Sequence, residues 1–128
     1  MLFRSNATFH VVRATLPYIR KSRGGRILAI GSRMAVEPQP GVGAYQVSKA
    51  ALVSLVRTLA LENKDLGITA NVVLPDTMDT AANRAAMPKA DTSKWVQPQA
   101  VADLLVALAG PAGAAVSGAV IPVYGPNL

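Results

Sequence analysis

The sequence predicts an α/β protein: a partial, doubly wound parallel sheet of about three strands with flanking helices. Three observations point there. A short apolar run, Arg26-Ile27-Leu28-Ala29-Ile30, is bounded by glycine on both sides, as in a strand covered on both faces. A long Ala- and Leu-rich segment follows it, and a second β-rich run, from Ile68 to Leu74, comes next. Strand, long helix, strand is the βαβ unit, whose strands run parallel.

Each element has its own signal. From about Asn6 to Lys21, Phe9, Val12, Leu16 and Ile19 recur at spacings of three and four, the mark of one buried helical face. Gly24 and Gly25 end that helix. Gly31 and Ser32 close the first strand. Between Arg33 and Gly43, Pro38, Pro40, Gly41 and Gly43 break regular structure and predict a loop. The long helix is expected from about Ala44 to Asn63, with Leu52, Leu55, Leu59 and Leu61 supplying its packing. Pro75 is expected to stop the second strand. Thr77 to Ala86 reads as a loop entering a short helix, Gln99 to Ala109 as a helix with Pro98 at its start, and Ala119 to Tyr124 as a last strand.

At 128 residues, all of them (1–128) are expected to form one domain. The composition is 51% hydrophobic and 16% charged, which excludes a disordered tail and suggests deep burial or an extensive partner interface. There are no cysteines, so disulfides and thiolate sites are excluded, and a cytoplasmic location is the default. No apolar stretch of signal-peptide length precedes Arg13. No charged residue follows Asp103, but Gly110, Pro111, Gly113, Ser117, Gly118 and Pro122 interrupt that tail, so no membrane span is expected. The net charge is +6, with Arg20, Lys21, Arg23, Arg26 and Arg33 bunched together. Only Tyr18 lies near them, whereas nucleic-acid binding wants interleaved aromatics. Arg20, Lys21 and Arg23 instead fall where cations oppose the negative end of a helix dipole.

Ligands of open parallel sheets sit beyond the carboxyl ends of the strands. Here those ends carry Ser32, the segment from Pro75 to Thr80, and the loop after Val123. Tyr45 and Lys49, four residues apart at the start of the long helix, share one helical face. An ammonium beside a phenol favours the phenolate and lowers the tyrosine pKa from about 10, as a general acid/base requires. Ser32, facing the same crevice, can hold a carbonyl oxygen as charge develops on it. The three together predict a carbonyl-reducing site.

Gly31-Ser32 at a strand end, a Pro/Gly loop, and Tyr45-Gln46-Val47-Ser48-Lys49 opening an Ala-rich helix resemble the active-site segment of the short-chain dehydrogenase/reductases, with the serine-to-tyrosine step of 13 residues. Asn71-Val72-Val73-Leu74-Pro75 and Thr80 resemble the same family's next strand and nicotinamide-contacting turn, and the likeness continues to Tyr124-Gly125. The resemblance implies a Rossmann-like sheet and an NAD(P)-dependent oxidoreductase acting on a small carbonyl or alcohol substrate. It implies that Tyr45 passes a proton to the substrate oxygen, that Lys49 tunes it and holds the nicotinamide ribose, and that Ser32 orients the carbonyl. Tyr45, Lys49, Pro75, Met78 and Thr80 would contact the cofactor, NAD or NADP. It also implies a homo-oligomer assembled through the two long helices.

The sequence departs from the family pattern in three places. Pro75-Asp76 stands where the family has Pro-Gly, and Arg4 where it has an asparagine in the first helix. Asn6, two residues on, is turned by about 200°. No GxGxxG-like run occurs, so the family's phosphate cradle has no counterpart in these residues, and the chain reads as the catalytic, C-terminal half. Without the strands that carry that cradle, the strand through Ile27 would be an open hydrophobic edge.

Two other functions fit the same residues: a cofactor-independent esterase or lactonase with Ser32 as nucleophile and the Tyr45–Lys49 pair as its base, and a non-catalytic relative that only oligomerises. The remaining candidates have structural readings. His10 is the single histidine, with no second ligand type at metal spacing. Trp95 is expected as a packing anchor, Asp76 and Asp79 as caps of the following helix, and Arg33 as a solvated cation or a contact for an acidic substrate.

Overall fold

The structure, a computed structural model, describes residues 3–22 and 24–126, with side chains from residue 6 onward. The Arg4 side chain, expected at the family's asparagine position, and Arg23, expected at the end of the first helix, lie outside the described residues.

Seven elements follow one another: α1 (Phe3–Ser22), β1 (Arg26–Ile30), α2 (Gly43–Asn63), β2 (Thr69–Pro75), α3 (Ala81–Ala86), α4 (Pro98–Ala109) and β3 (Val120–Val123). Short 3-10 turns occupy Arg33–Ala35, Lys64–Leu66 and Pro111–Ala115. The sheet has the order β1-β2-β3 and is parallel throughout, from Arg26 opposite Thr69 to Ile30 opposite Val73, and from Val72 opposite Val120 to Pro75 opposite Val123. The fold is therefore the α/β arrangement of three parallel strands and flanking helices that the sequence predicts.

Every residue of β2 is buried, as befits the middle strand. Its even-numbered side chains, with Ile27 and Ala29 of β1, meet Leu52, Val56 and Leu59 of α2, and Val12, Leu16 and Ile19 of α1 close over them. On the opposite face Val73 packs with Val96, Val101 and Leu108 of the α4 layer.

Several expectations need correction. Leu61 is exposed, and Val56 does the packing assigned to it, because 52, 56 and 59 keep one face of the helix while 61 turns away. Phe9 is half exposed and stands edge-on to His10, with ring centroids 5.6 Å apart, leaving Val12, Leu16 and Ile19 as the packed face. The loop after β1 begins with a 3-10 turn, capped by Ser32.

Pro75 does stop β2, from within it as the last residue of the strand. Odd-numbered residues of β2 turn their backbone groups toward β1, where Gly31 N–H donates to the Val73 carbonyl at 2.7 Å. At Pro75 β1 has already ended, so the missing N–H deprives no acceptor, and Asp76 N–H carries the ladder on to Val123 at 3.2 Å.

The edge of β1 away from β2 has no strand partner among the described residues. An apolar groove of about 420 Å³ runs beside it, lined by Val11 and Val12 of α1, Leu28 and Ile30 of β1, and Leu52 and Val56 of α2. Among the described residues this is the open hydrophobic edge that the sequence predicts.

Gly113 closes the turn after α4. A Cβ there would run into the backbone carbonyl of Leu108, which no side-chain rotation relieves. Gly113→Ala is expected to destabilise the protein by about 1–3 kcal/mol, seen as a lowered thermal midpoint.

Candidate functional site

The carboxyl ends of β1 and β2 and the first turns of α2 meet at one side of the sheet. Ser32 follows β1 in extended conformation, and its Oγ accepts from Met34 N–H at 3.3 Å, capping the 3-10 turn. A hydroxyl that accepts in this way keeps its own proton to donate elsewhere.

Tyr45 and Lys49 lie on α2, both half-buried. Lys49 Nζ is 5.8 Å from the Tyr45 ring centroid and donates to the Ile30 carbonyl at 3.1 Å. Ile30 is the last residue of β1 and stands two before Ser32. One ammonium therefore ties the helix that carries Tyr45 to the strand end that carries Ser32. That carbonyl is available because even-numbered residues of β1 turn their backbone groups to the open edge.

The turn after β2 is held by its own bonds. Thr77 carbonyl accepts from Val96 N–H and Val96 carbonyl from Asp79 N–H, both at 2.8 Å, around a parallel bridge between Met78 and Val96. The Met78 side chain packs with Val73 and Val96, and its carbonyl accepts from Asn83 Nδ2 at 2.8 Å. Thr80 Oγ1 accepts from Asn83 N–H at 3.2 Å and caps α3. Of the residues expected around the nicotinamide, Pro75 ends the strand, Met78 faces the core and Thr80 is a helix cap.

The cap of α3 is thus Thr80, not Asp76 or Asp79. Asp79 is gripped by Arg84 through two bonds of 2.5 and 2.8 Å and by Gln97 at 3.2 Å, so its carboxyl is held below the usual aspartate range, chiefly by Arg84. A depressed carboxyl stabilises the fold above its unfolded value and loses that contribution as pH falls through the native one. The clasp is expected to stay intact at neutral pH and to open only below about pH 4, read as acid-induced loss of protection at the α3 amides. Asp79→Asn should abolish that pH dependence.

Arg33 is partly exposed but already paired with two carboxylates. Its Nε pairs with Glu37 at 2.6 Å, an Nη with Asp76 at 2.9 Å, and its guanidinium stacks 4.4 Å from the centroid of the buried Tyr124 ring. The two carboxylates, Glu37 foremost, raise the Arg33 pKa, and burial raises that of Tyr124. Asp76, in the family's glycine position, also accepts from Thr77 N–H at 2.7 Å. Trp95 is half-buried and lines a polar cleft with Arg33, Asp76 and Lys94. The Arg33–Glu37 pair has a local signal in its four-residue spacing, but the Arg33–Asp76 pair has none, since those residues are 43 apart.

His10 lies exposed on α1, and among the described residues no cluster of histidine, aspartate or glutamate could hold a metal ion. Among them, too, no helix is long and apolar enough to cross a membrane.

Comparison with known proteins identifies the family and the fold. Residues 1–125 match the family described as enoyl-(acyl carrier protein) reductase, a C-terminal region of the short-chain dehydrogenase/reductases. The chain is 42% identical over 113 residues to the cyclic-di-GMP-binding biofilm dispersal mediator protein of Escherichia coli, covering 80% of this chain and 46% of that protein. It is 32% identical to an uncharacterized NAD-dependent oxidoreductase of Mycobacterium tuberculosis, covering 91% and 49%. Among solved structures, a blue fluorescent protein from a metagenomic library in complex with NADPH superposes with a TM-score of 0.83 at 34% identity, covering 94% of this chain and 51% of that one. A short-chain dehydrogenase/reductase from Mycobacterium ulcerans gives 0.86 at 25% identity, covering 92% and 46%. The chain spans about half the length of the curated relatives it matches. On this evidence the chain belongs to the short-chain dehydrogenase/reductase family, of which it carries the C-terminal region.

Proposed function

We propose that this chain supplies the proton-transfer half of an NAD(P)-dependent oxidoreductase acting on a small carbonyl or alcohol. The observation that carries the reading is the position of Lys49, bound to the end of β1 and within 5.8 Å of the Tyr45 ring. In the reductive direction Tyr45 gives its phenolic proton to the carbonyl oxygen. Lys49 stabilises the phenolate left behind. Ser32, its acceptor side engaged by Met34 N–H, donates to the same oxygen and holds it in place.

The donor set at this edge fits the nicotinamide-ribose end of the cofactor. Lys49 and Tyr45 would offer an ammonium and a hydroxyl to ribose oxygens, and the turn from Pro75 to Thr80, at the carboxyl end of the neighbouring strand, would face the nicotinamide. When bound, NAD(P)H supplies the hydride to the carbonyl carbon. The relatives named for NAD dependence and NADPH binding support this assignment.

The test is titration of NADH or NADPH with the purified chain. A stoichiometric shift in cofactor fluorescence is expected, and no binding at millimolar cofactor would overturn the reading for the isolated chain. The ester-cleaving alternative is checked with a chromogenic ester, on which no Ser32-dependent hydrolysis is expected. Self-association through α1 and α2 is part of the proposal, favoured by Val11 and Tyr18 on α1 and Val47 and Leu61 on α2, all exposed. Light scattering at a monomer mass would count against it.

A further inference from the structure

The cleft beside Ser32 has a chemistry that the proton-transfer reading does not use. It holds about 520 Å³, within the usual range of about 300–1,000 Å³ for small-molecule sites. Arg33 follows Ser32 and Asp76 follows Pro75, so the cleft opens off the carboxyl ends of β1 and β2. Its wall combines two cations, Arg33 and Lys94, two carboxylates, Asp76 and Asp91, the amide of Gln39, and one aromatic surface, Trp95.

That composition selects by elimination. The charges on the wall cancel, so neither an anionic nor a cationic substrate gains from the cleft as a whole. An acyl chain or fused hydrocarbon ring would strip water from four charged groups and return no hydrogen bonds. A neutral molecule with several hydroxyl groups suits it, because each hydroxyl donates to a carboxylate and accepts from a cation or an amide. The apolar C–H face of such a molecule can rest on the indole.

Both carboxylates are held in place by neighbouring donors. Asp91 accepts from Ser93 N–H at 2.9 Å, a bond that keeps its carboxyl below the usual range. Asp76 is oriented by Arg33 and by Thr77 N–H.

We infer that the substrate of this site is a neutral polyhydroxylated carbonyl compound, or the corresponding polyol, seated against Trp95 between Asp76 and Asp91. The inference rests on the oxidoreductase reading for the reaction but not for the binding, which needs no cofactor.

Trp95 is the single tryptophan of the chain, so its emission reports the cleft directly. The full chain is titrated, without cofactor, with myo-inositol, and in parallel with cyclohexanol and with succinate. A saturable change in emission is expected with myo-inositol, at least about tenfold tighter than with either comparison compound. Asp91→Asn should weaken the myo-inositol response by about tenfold, the loss of one hydrogen bond to a charged group, while circular dichroism stays unchanged. Binding of cyclohexanol or succinate as tight as that of myo-inositol, no saturable response to myo-inositol, or an Asp91→Asn variant that binds as the parent does would each overturn the inference. The two readings fail separately: NAD(P)H binding without a myo-inositol response removes the polyol cleft and leaves the oxidoreductase, and the converse result removes the oxidoreductase and leaves the cleft as a polyol site.

Discussion

Asn71→Ala is expected to destabilise the protein by about 3 kcal/mol and to lower its thermal midpoint by roughly 10 °C. Asn71 is fully buried on β2, opposite Leu28. Its Nδ2 donates to the Val116 carbonyl at 2.7 Å and its Oδ1 accepts from Ala119 N–H at 3.0 Å. These two bonds straddle the connection into β3, which β2 grips along its length: Gly118 N–H donates to Ala70, Ser117 Oγ accepts from Ala70 N–H, and Val72 N–H donates to Ala119. Alanine removes both side-chain partners and leaves a buried carbonyl and a buried N–H facing a void.

Asn71→Asp separates the two bonds. The acceptor for Ala119 N–H survives, while a carboxylate oxygen now opposes the Val116 carbonyl. Burial and that repulsion raise the folded pKa of the new carboxyl above its unfolded value, so the protonated form, which can donate to Val116, is favoured in the native state. Stability of this variant should be greatest in acid and fall as pH rises from about 4 through the raised folded value, opposite to the Asp79 clasp. Thermal midpoints at pH 4 and pH 7 check both predictions. An unchanged midpoint for Asn71→Ala would mean that water replaces the amide.

The contrast between Asn71 and its neighbours marks what a sequence can carry. Periodicity placed β1 and β2 because a strand covered on both faces reads as an unbroken apolar run, and it placed α2 because composition and length are local properties. It failed at Leu61 and Phe9, where a helix face is decided by what lies across from it. That Pro75 can end β2 from inside the ladder is likewise decided by a neighbour. A proline breaks a ladder only where a partner waits for its N–H, and the early end of β1 removes that partner. The site divides in the same way. Tyr45 and Lys49 are legible as a pair because four residues is a helical spacing, and Ser32 because it follows a strand. The Arg33–Asp76 pair and the cleft with Trp95 join segments dozens of residues apart, and only the folded sheet brings them together.

Tyr45→Phe is expected to lower kcat for NAD(P)H-dependent carbonyl reduction by about 10²–10⁴-fold, the usual worth of a positioned general acid. The ring stays, and with it the contact to Lys49, so circular dichroism and the thermal midpoint should change little, and cofactor binding should weaken only by the one hydroxyl the ribose loses. Lys49→Met is expected to act on both terms. It removes the ammonium that stabilises the phenolate and the donor offered to the cofactor ribose, so turnover and NAD(P)H binding should fall together. Its bond to the Ile30 carbonyl lies at the exposed end of an edge strand, where water can take its place, so stability should fall by no more than about 1 kcal/mol. This split between the two variants distinguishes a proton donor with its tuning cation from a pair that merely supports α2. A purely structural pair would lose stability in both variants. Full turnover in Tyr45→Phe would move the proton donor to another group at the same strand end, and Ser32, which keeps a proton to donate, would be the next residue to test.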